Sequence, residues 1–138
     1  MSDRPTSRIA EVVAAEVVAA EVVVDVDYRS GAFEIVIVNI GDAVAHDVKV
    51  KFSRNLVGAR DVVVSELPIF QRLRTLPPGK QIRVFLDSAD AVFRRRKTNT
   101  FSVVAYWNSA DGTRSTASYS HDLDAYRDLP EMVVREQR

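Results

Sequence analysis

Asn39-Ile40-Gly41-Asp42-Ala43-Val44-Ala45-His46-Asp47-Val48-Lys49-Val50 decides how this chain is read. An apolar run ends at Asn39, a tight Gly-Asp turn follows, and a second strand begins. In that second strand Val44, Val48, Val50 and Phe52 alternate with Asp47, Lys49 and Lys51, which predicts one buried face and one wet face. A second turn signal, Leu76-Pro77-Pro78-Gly79-Lys80, stands just before another alternating stretch, Gln81–Leu86, with Ile82, Val84 and Leu86 on one face.

Working outward, the β signals continue on both sides. Val22–Tyr28 and Phe33–Ile40 flank the turn Arg29-Ser30-Gly31-Ala32. Phe33-Glu34-Ile35-Val36-Ile37-Val38 is apolar on nearly both faces and predicts a central strand. Asp61–Ser65 reads as a short valine strand at an edge. Residues 66–80 contain Pro68, Pro77 and Pro78 and read as a crossing loop or a ragged edge. Ser88-Ala89-Asp90-Ala91-Val92-Phe93 predicts a short helical turn capped by Ser88. Thr100–Trp107 and Thr113–His121 form the clearest hairpin, closed by Asn108-Ser109-Ala110-Asp111-Gly112, where Asp-Gly supplies the positive φ. Asp122-Leu123-Asp124-Ala125-Tyr126 then turns back onto the body. Short strands with turn signals at this spacing are the pattern of a two-sheet sandwich.

The bulk properties bound the function. At 138 residues the chain supports one domain and one sizeable core. Nineteen basic residues balance nineteen acidic ones, so no global field draws nucleic acid or an anionic membrane. The absence of cysteine removes disulfides, thiolate metal sites and thiol nucleophiles. The division expected is a polar N-terminus and repeat over 1–20, a sandwich over 21–126 and a charged tail over 127–138.

Residues 10–24 carry a five-residue repeat: Ala10-Glu11-Val12-Val13-Ala14, Ala15-Glu16-Val17-Val18-Ala19, Ala20-Glu21-Val22-Val23-Val24. Five residues advance a helix by about 140° beyond a full turn, so the glutamates spread around the axis and no apolar stripe forms. In a strand the same odd period puts successive glutamates on opposite faces. Alanine and glutamate favour helix and paired valines favour strand, and the balance leans to a helix over about 8–20 that passes into a strand near Val22. The repeat is either a solvated spacer or an assembly segment whose Val12, Val13, Val17 and Val18 meet a partner. Its glutamates, Glu11, Glu16 and Glu21, exclude a secretory h-region or a membrane span. As written, the chain is expected to be cytoplasmic or assembled into a virion or surface structure, with no membrane insertion.

No chemistry emerges from the reactive residues. His46-Asp47 and His121-Asp122 are the two His-Asp pairs, but neighbours on a strand point to opposite faces, and a metal site needs three or four ligands. No serine sits in a G-x-S-x-G elbow, and the glycines make no phosphate loop. Asp87/Asp90 and Asp122/Asp124 suit turn and cap roles. No catalytic, metal or cofactor-binding residue is expected, and no cofactor. Arg94-Arg95-Arg96-Lys97 is the one concentrated charge, able to grip phosphate or an acidic protein surface, or else solvated with Asp87 and Asp90 as counter-charges. Strand parity groups Trp107 with Phe101, Val103 and Ala105 in the core. It leaves Tyr106 on the other face, with Ser102 and Val104, as a surface candidate.

Asn39-x-Gly41-x-x-x-Ala45-x-Asp47-Val48, followed by Leu76-Pro77-Pro78-Gly79-Lys80 before a strand, resembles the bacterial immunoglobulin-like domains of the CARDB (cell-adhesion-related) kind. The late hairpin ending in His121-Asp122-Leu123 suits relatives in uncharacterised bacterial and phage proteins. The resemblance covers about residues 22–126 and implies a mainly β, immunoglobulin-like antiparallel β-sandwich, a fold that hosts many functions. The expected role is a non-enzymatic protein-interaction or assembly module, a structural component of a particle or cell-surface complex, with a protein partner or a second copy. Its interaction candidates are Arg94, Arg95, Arg96, Lys97, Tyr106 and the four valines of the repeat. The alternative is a ligand-binding module for glycan or nucleic acid that uses Tyr106 and the Arg94–Lys97 run.

Overall fold

The computed structural model describes residues 18–95 and 98–129. Among them seven strands form two antiparallel sheets: β1 (Val22–Arg29), β2 (Ala32–Asn39), β3 (Ala45–Phe52), β4 (Leu73–Leu76), β5 (Gln81–Ser88), β6 (Thr100–Asn108) and β7 (Arg114–Asp122). One sheet has the order β1-β2-β5 and the other β4-β3-β6-β7. The fourth strand therefore joins the third instead of the fifth. The result is an immunoglobulin-like sandwich in its three-plus-four arrangement.

Side-chain parity explains why these segments form strands. In β2, Phe33, Ile35 and Ile37 point inward and are fully buried; in β3, Val48 and Val50 do so; in β6, Phe101, Val103, Ala105 and Trp107. The third copy of the repeat becomes the start of β1. Val22 and Val24 are buried, whereas Asp25 faces solvent. The β1–β2 hairpin turns on Ser30 (φ 55°) and Gly31 (φ 74°), two consecutive positive φ values that match the twist of the flanking strands. The six-residue helix α1 (Ala89–Arg94) is capped at its start by Ser88, whose hydroxyl accepts from the Ala91 N–H at 3.1 Å.

The two turn signals of the sequence meet in one place. Asn39 is fully buried. Its Nδ2 donates to Ala43 O (2.8 Å) and Leu76 O (2.9 Å), and its Oδ1 accepts from Gly41 N (2.9 Å) and Glu21 N (3.1 Å). The Gly79 N–H also donates to Asn39 O at 2.8 Å. One side chain thus ties together the chain entering β1, the β2–β3 crossover and the end of β4. All of its hydrogen-bonding capacity is used, which is what makes a buried amide tolerable. Gly41 is required by close approach: a Cβ there would lie 2.1 Å from Ala19 O. Asp42 N–H donates to that same oxygen at 2.8 Å.

Two expectations are corrected. Residues 18–20 are not helical, and the strand begins at Val22 because the core supplies a buried face for Val22 and Val24; residues 8–17 lie outside the described residues. Asp61–Ser65 is not a strand. Arg60 (φ 59°) and Asp61 (φ 61°) are left-handed, and two 3₁₀ turns, Ala59–Asp61 and Val64–Glu66, replace extended backbone; only a Val57–Val63 bridge remains. The loop bends this way to press Gly58 onto β5, where a Cβ would meet Leu86 O at 2.1 Å. The segment read as a crossing loop or ragged edge contains the four-residue strand β4, which pairs with β3 at the edge of its sheet.

Candidate interaction surfaces

The candidates named from sequence fall in separate places. Val12, Val13 and Val17 lie outside the described residues, as do Arg96 and Lys97; Val18 is 54% exposed. Arg94 is the exposed last residue of α1. Arg95, half-buried, is ion-paired with Asp87, so the counter-charge expected for the arginine run is in place. Tyr106 sits far from it, six residues into β6, about 20 Å along the strand from Thr100. Tyr106 and the described arginines of the run do not share one groove.

Arg95 lines a cavity of about 450 Å³ at the end of the sandwich, together with Arg54, Asn55, Gly58, Thr98 and Asn99. Its polar walls are already engaged. Arg54 donates to Thr100 O (2.9 Å) and Thr98 O (2.8 Å); buried Asn99 donates to Asp124 Oδ1 (2.9 Å) and Val92 O (3.3 Å). These groups serve to fasten the β5–β6 connection and the 3₁₀ turn Leu123–Tyr126 to the core. Tyr126 in that turn packs edge-on to Phe33, and burial, then Asp25 and Asp27, push its phenol pKa up.

The histidines sit at opposite ends of β6, His46 opposite Asn108 and His121 opposite Phe101. Among the described residues no three His, Asp or Glu side chains gather as a metal-binding group. His121 has a different task. Its Nε2–H donates to Val24 O at 3.0 Å, and two residues earlier Tyr119 donates its hydroxyl to Val22 O at 2.9 Å. Both acceptors are on the free edge of β1, where unpaired carbonyls would otherwise invite another strand. Burial, and then Glu21, raise the Tyr119 pKa, which keeps the phenol in its donating form.

Around Tyr106 the structure gathers what the sequence kept apart. Lys49 is directly opposite it on β3; Lys51 Nζ and Arg114 Cζ lie 5.9 and 5.6 Å from its ring centroid. This outer face is basic. The outer face of the other sheet instead holds an ion-pair cluster, in which Arg83 bonds Glu34 (2.9 Å) and Asp27 (2.5 Å), with its guanidinium pKa raised by those two hydrogen bonds. Arg114 was nearly within reach of sequence reasoning: a symmetric 108–112 turn pairs Trp107 with Thr113, two residues off the observed register, in which Arg114 lies beside Asn108. The β3–β6 register was not, since no local turn joins those strands.

The sheet edges differ sharply. β4 has four residues. β5 is covered near Leu86 by the Gly58 loop. β1 has two of its outward carbonyls, those of Val22 and Val24, taken by Tyr119 and His121. β7 is nine residues long, pairs with β6 without a bulge, and contains no proline or lysine. Its hydrogen-bonding parity follows from its two ends: Ser109 N–H donates to Thr113 O and Leu123 N–H to Asn99 O. Odd-numbered residues from Ser115 to His121 therefore bond β6, and Arg114, Thr116, Ser118, Ser120 and Asp122 direct N–H and C=O outward. Among the described residues no hydrogen bond reaches those groups.

A two-sheet sandwich whose described residues leave one long edge strand unpaired is thus the class of protein that the fold defines. The chain belongs to the family described as Domain of unknown function (DUF8453), whose model matches residues 6–127. No curated protein and no solved structure matches it. Among the described residues no helix is long and apolar enough to cross a membrane.

Proposed function

We propose that this domain is a protein-interaction or assembly module, a structural component of a particle or cell-surface complex, working through a sheet edge. The observation that supports it most is β7: nine unbulged residues with five outward N–H and C=O pairs, no proline, and charges only at its two ends. The resemblance to CARDB-type domains agrees with a non-enzymatic role. The test is solution mass by light scattering across concentration, for the full chain, for a chain beginning at Val18 and for Ser118→Pro. Val18 is the right start because Ala19 and Glu21 are bonded to the Asn39–Asp42 segment. Proline at 118 removes an outward N–H that the fold does not use and obstructs an added strand. A mass above that of one chain, lost in Ser118→Pro and kept from Val18 onward, supports the reading; a single-chain mass at every concentration overturns it.

Tyr106 with Lys49, Lys51 and Arg114 supports a second reading, a module for an anionic ligand such as an acidic glycan or single-stranded nucleic acid. Titration of a polyuronate and of a homopolymeric single-stranded DNA at low salt tests it. The expected result is a salt-sensitive affinity lost in Lys49→Glu/Lys51→Glu, and no binding of either polymer removes the reading.

A further inference from the structure

We infer that the occupant of the β7 edge is the β7 edge of a second copy, paired antiparallel about a two-fold axis through Ser118. This rests on the assembly reading above and names the partner and the register. An added strand must meet the outward-facing residues of β7 with outward-facing residues of its own, so even-numbered positions must pair with even-numbered ones. Centring the axis on Ser118 satisfies that condition. It sets Arg114 against Asp122 of the other copy, Thr116 against Ser120, and Ser118 against its own equivalent. All nine residues of the strand are used.

The charges select this register among those that the parity allows. Arg114 and Asp122 are the only charged residues of the strand and stand at its two ends. Only the Ser118-centred register puts opposite charges together at both ends; sliding the axis by one residue or more leaves each without its counterpart and shortens the overlap. Burial agrees. The outward-pairing residues are all exposed, while the alternate residues Ser115, Ala117, Tyr119 and His121 are half-buried and face inward. The extended sheet keeps that same division across both copies, so eight strands run continuously as β4-β3-β6-β7 followed by β7-β6-β3-β4. β1 is the poorer template, since Tyr119 and His121 of β7 already occupy the Val22 and Val24 carbonyls on its edge.

The absence of cysteine makes the test specific. A single Ser118→Cys faces its equivalent across a bonded pair, at a Cα separation of about 5.5 Å, within reach of a disulfide or a short bis-maleimide. A single Thr116→Cys faces Ser120 of the other copy and lies about 14 Å from its own equivalent. Oxidation of the full chain is expected to give a covalent dimer for Ser118→Cys and not for Thr116→Cys. Arg114→Asp alone and Asp122→Arg alone each set like charges together at both ends and are expected to weaken dimerisation about tenfold. The double swap restores it, which a merely structural role for either residue would not do. Association without cross-linking at 118, or without rescue by the double swap, overturns this register while the assembly reading stands. A chain that remains single at every concentration removes both.

Discussion

β1 and β7 lie side by side along one flank of the sandwich, one from each sheet, and face the same problem: a strand edge beside which no described strand lies. β1 is held at its start by Asn39 and by the fit of Gly41 against Ala19, and along its edge by Tyr119 and His121. β7 pairs its backbone with β6 only and, among the described residues, leaves its other backbone side bare. The difference teaches that edge protection here is directional. The inward side chains of β7 are used to close β1, while its own backbone is left available.

Four changes would break or sharpen this contrast. Asn39→Ala strips two buried carbonyls and two N–H groups of their partner at once and is expected to cost about 4 kcal/mol, read from denaturant unfolding. Gly41→Ala forces a methyl onto a backbone oxygen that cannot yield without moving the entry to β1; a loss of about 2 kcal/mol is expected, with β1 amides exchanging faster in hydrogen-exchange measurements. If the exchange of β7 amides rises as much as that of β1, the two strands are not separately held and the contrast fails.

Tyr119→Phe keeps the ring and frees Val22 O, for an expected loss of about 1 kcal/mol. It also has a pH signature. The folded pKa of Tyr119 is raised above its unfolded value, so its contribution is complete below about pH 10 and is lost as pH climbs through the folded pKa. Stability measured from pH 9 to 12 should therefore fall less steeply in Tyr119→Phe; an unchanged slope would show that the hydroxyl is not holding β1.

The smallest effect lies on the β7 side. Hydrogen bonds from Ser109, then from Thr113, lower the Asp111 pKa to about 2. That carboxylate helps the turn before β7 at pH values above the ordinary value near 4, and its help disappears as pH falls from there through 2. Asp111→Asn should reduce the acid sensitivity of the hairpin in that window, followed by amide chemical shifts of Thr113 and Gly112, with little change at neutral pH.

Much of this architecture was legible in the residues. Alternation placed Val48, Val50 and Ile82, the Asp-Gly turn placed the late hairpin, Ser88 was seen as a cap, and parity put Trp107 inside. These are local signals of period two or of a single turn. The valine stretch 62–64 misled because its backbone obeys a distant constraint, the contact of Gly58 with β5, and β-propensity yields to such packing. The junction at Asn39 was visible only as two unrelated turn motifs, since nothing local states that position 39 bonds position 76. The bare edge was equally hidden: that Arg114 to Asp122 forms a strand could be read, but which strand lies beyond it depends on the order of the whole sheet.

The Tyr119 and His121 bonds have one further consequence. They reach Val22 and Val24 in the same order along both strands, so β1 and β7 run parallel, with the start of β1 beside the second half of β7. Tension applied between the start of β1 and the end of β7 would load the two bonds together in shear, not one after the other as in a zipper. The flank that closes β1 is therefore also the mechanical clamp of the domain, and the rupture force of a single molecule should fall when either side chain is removed.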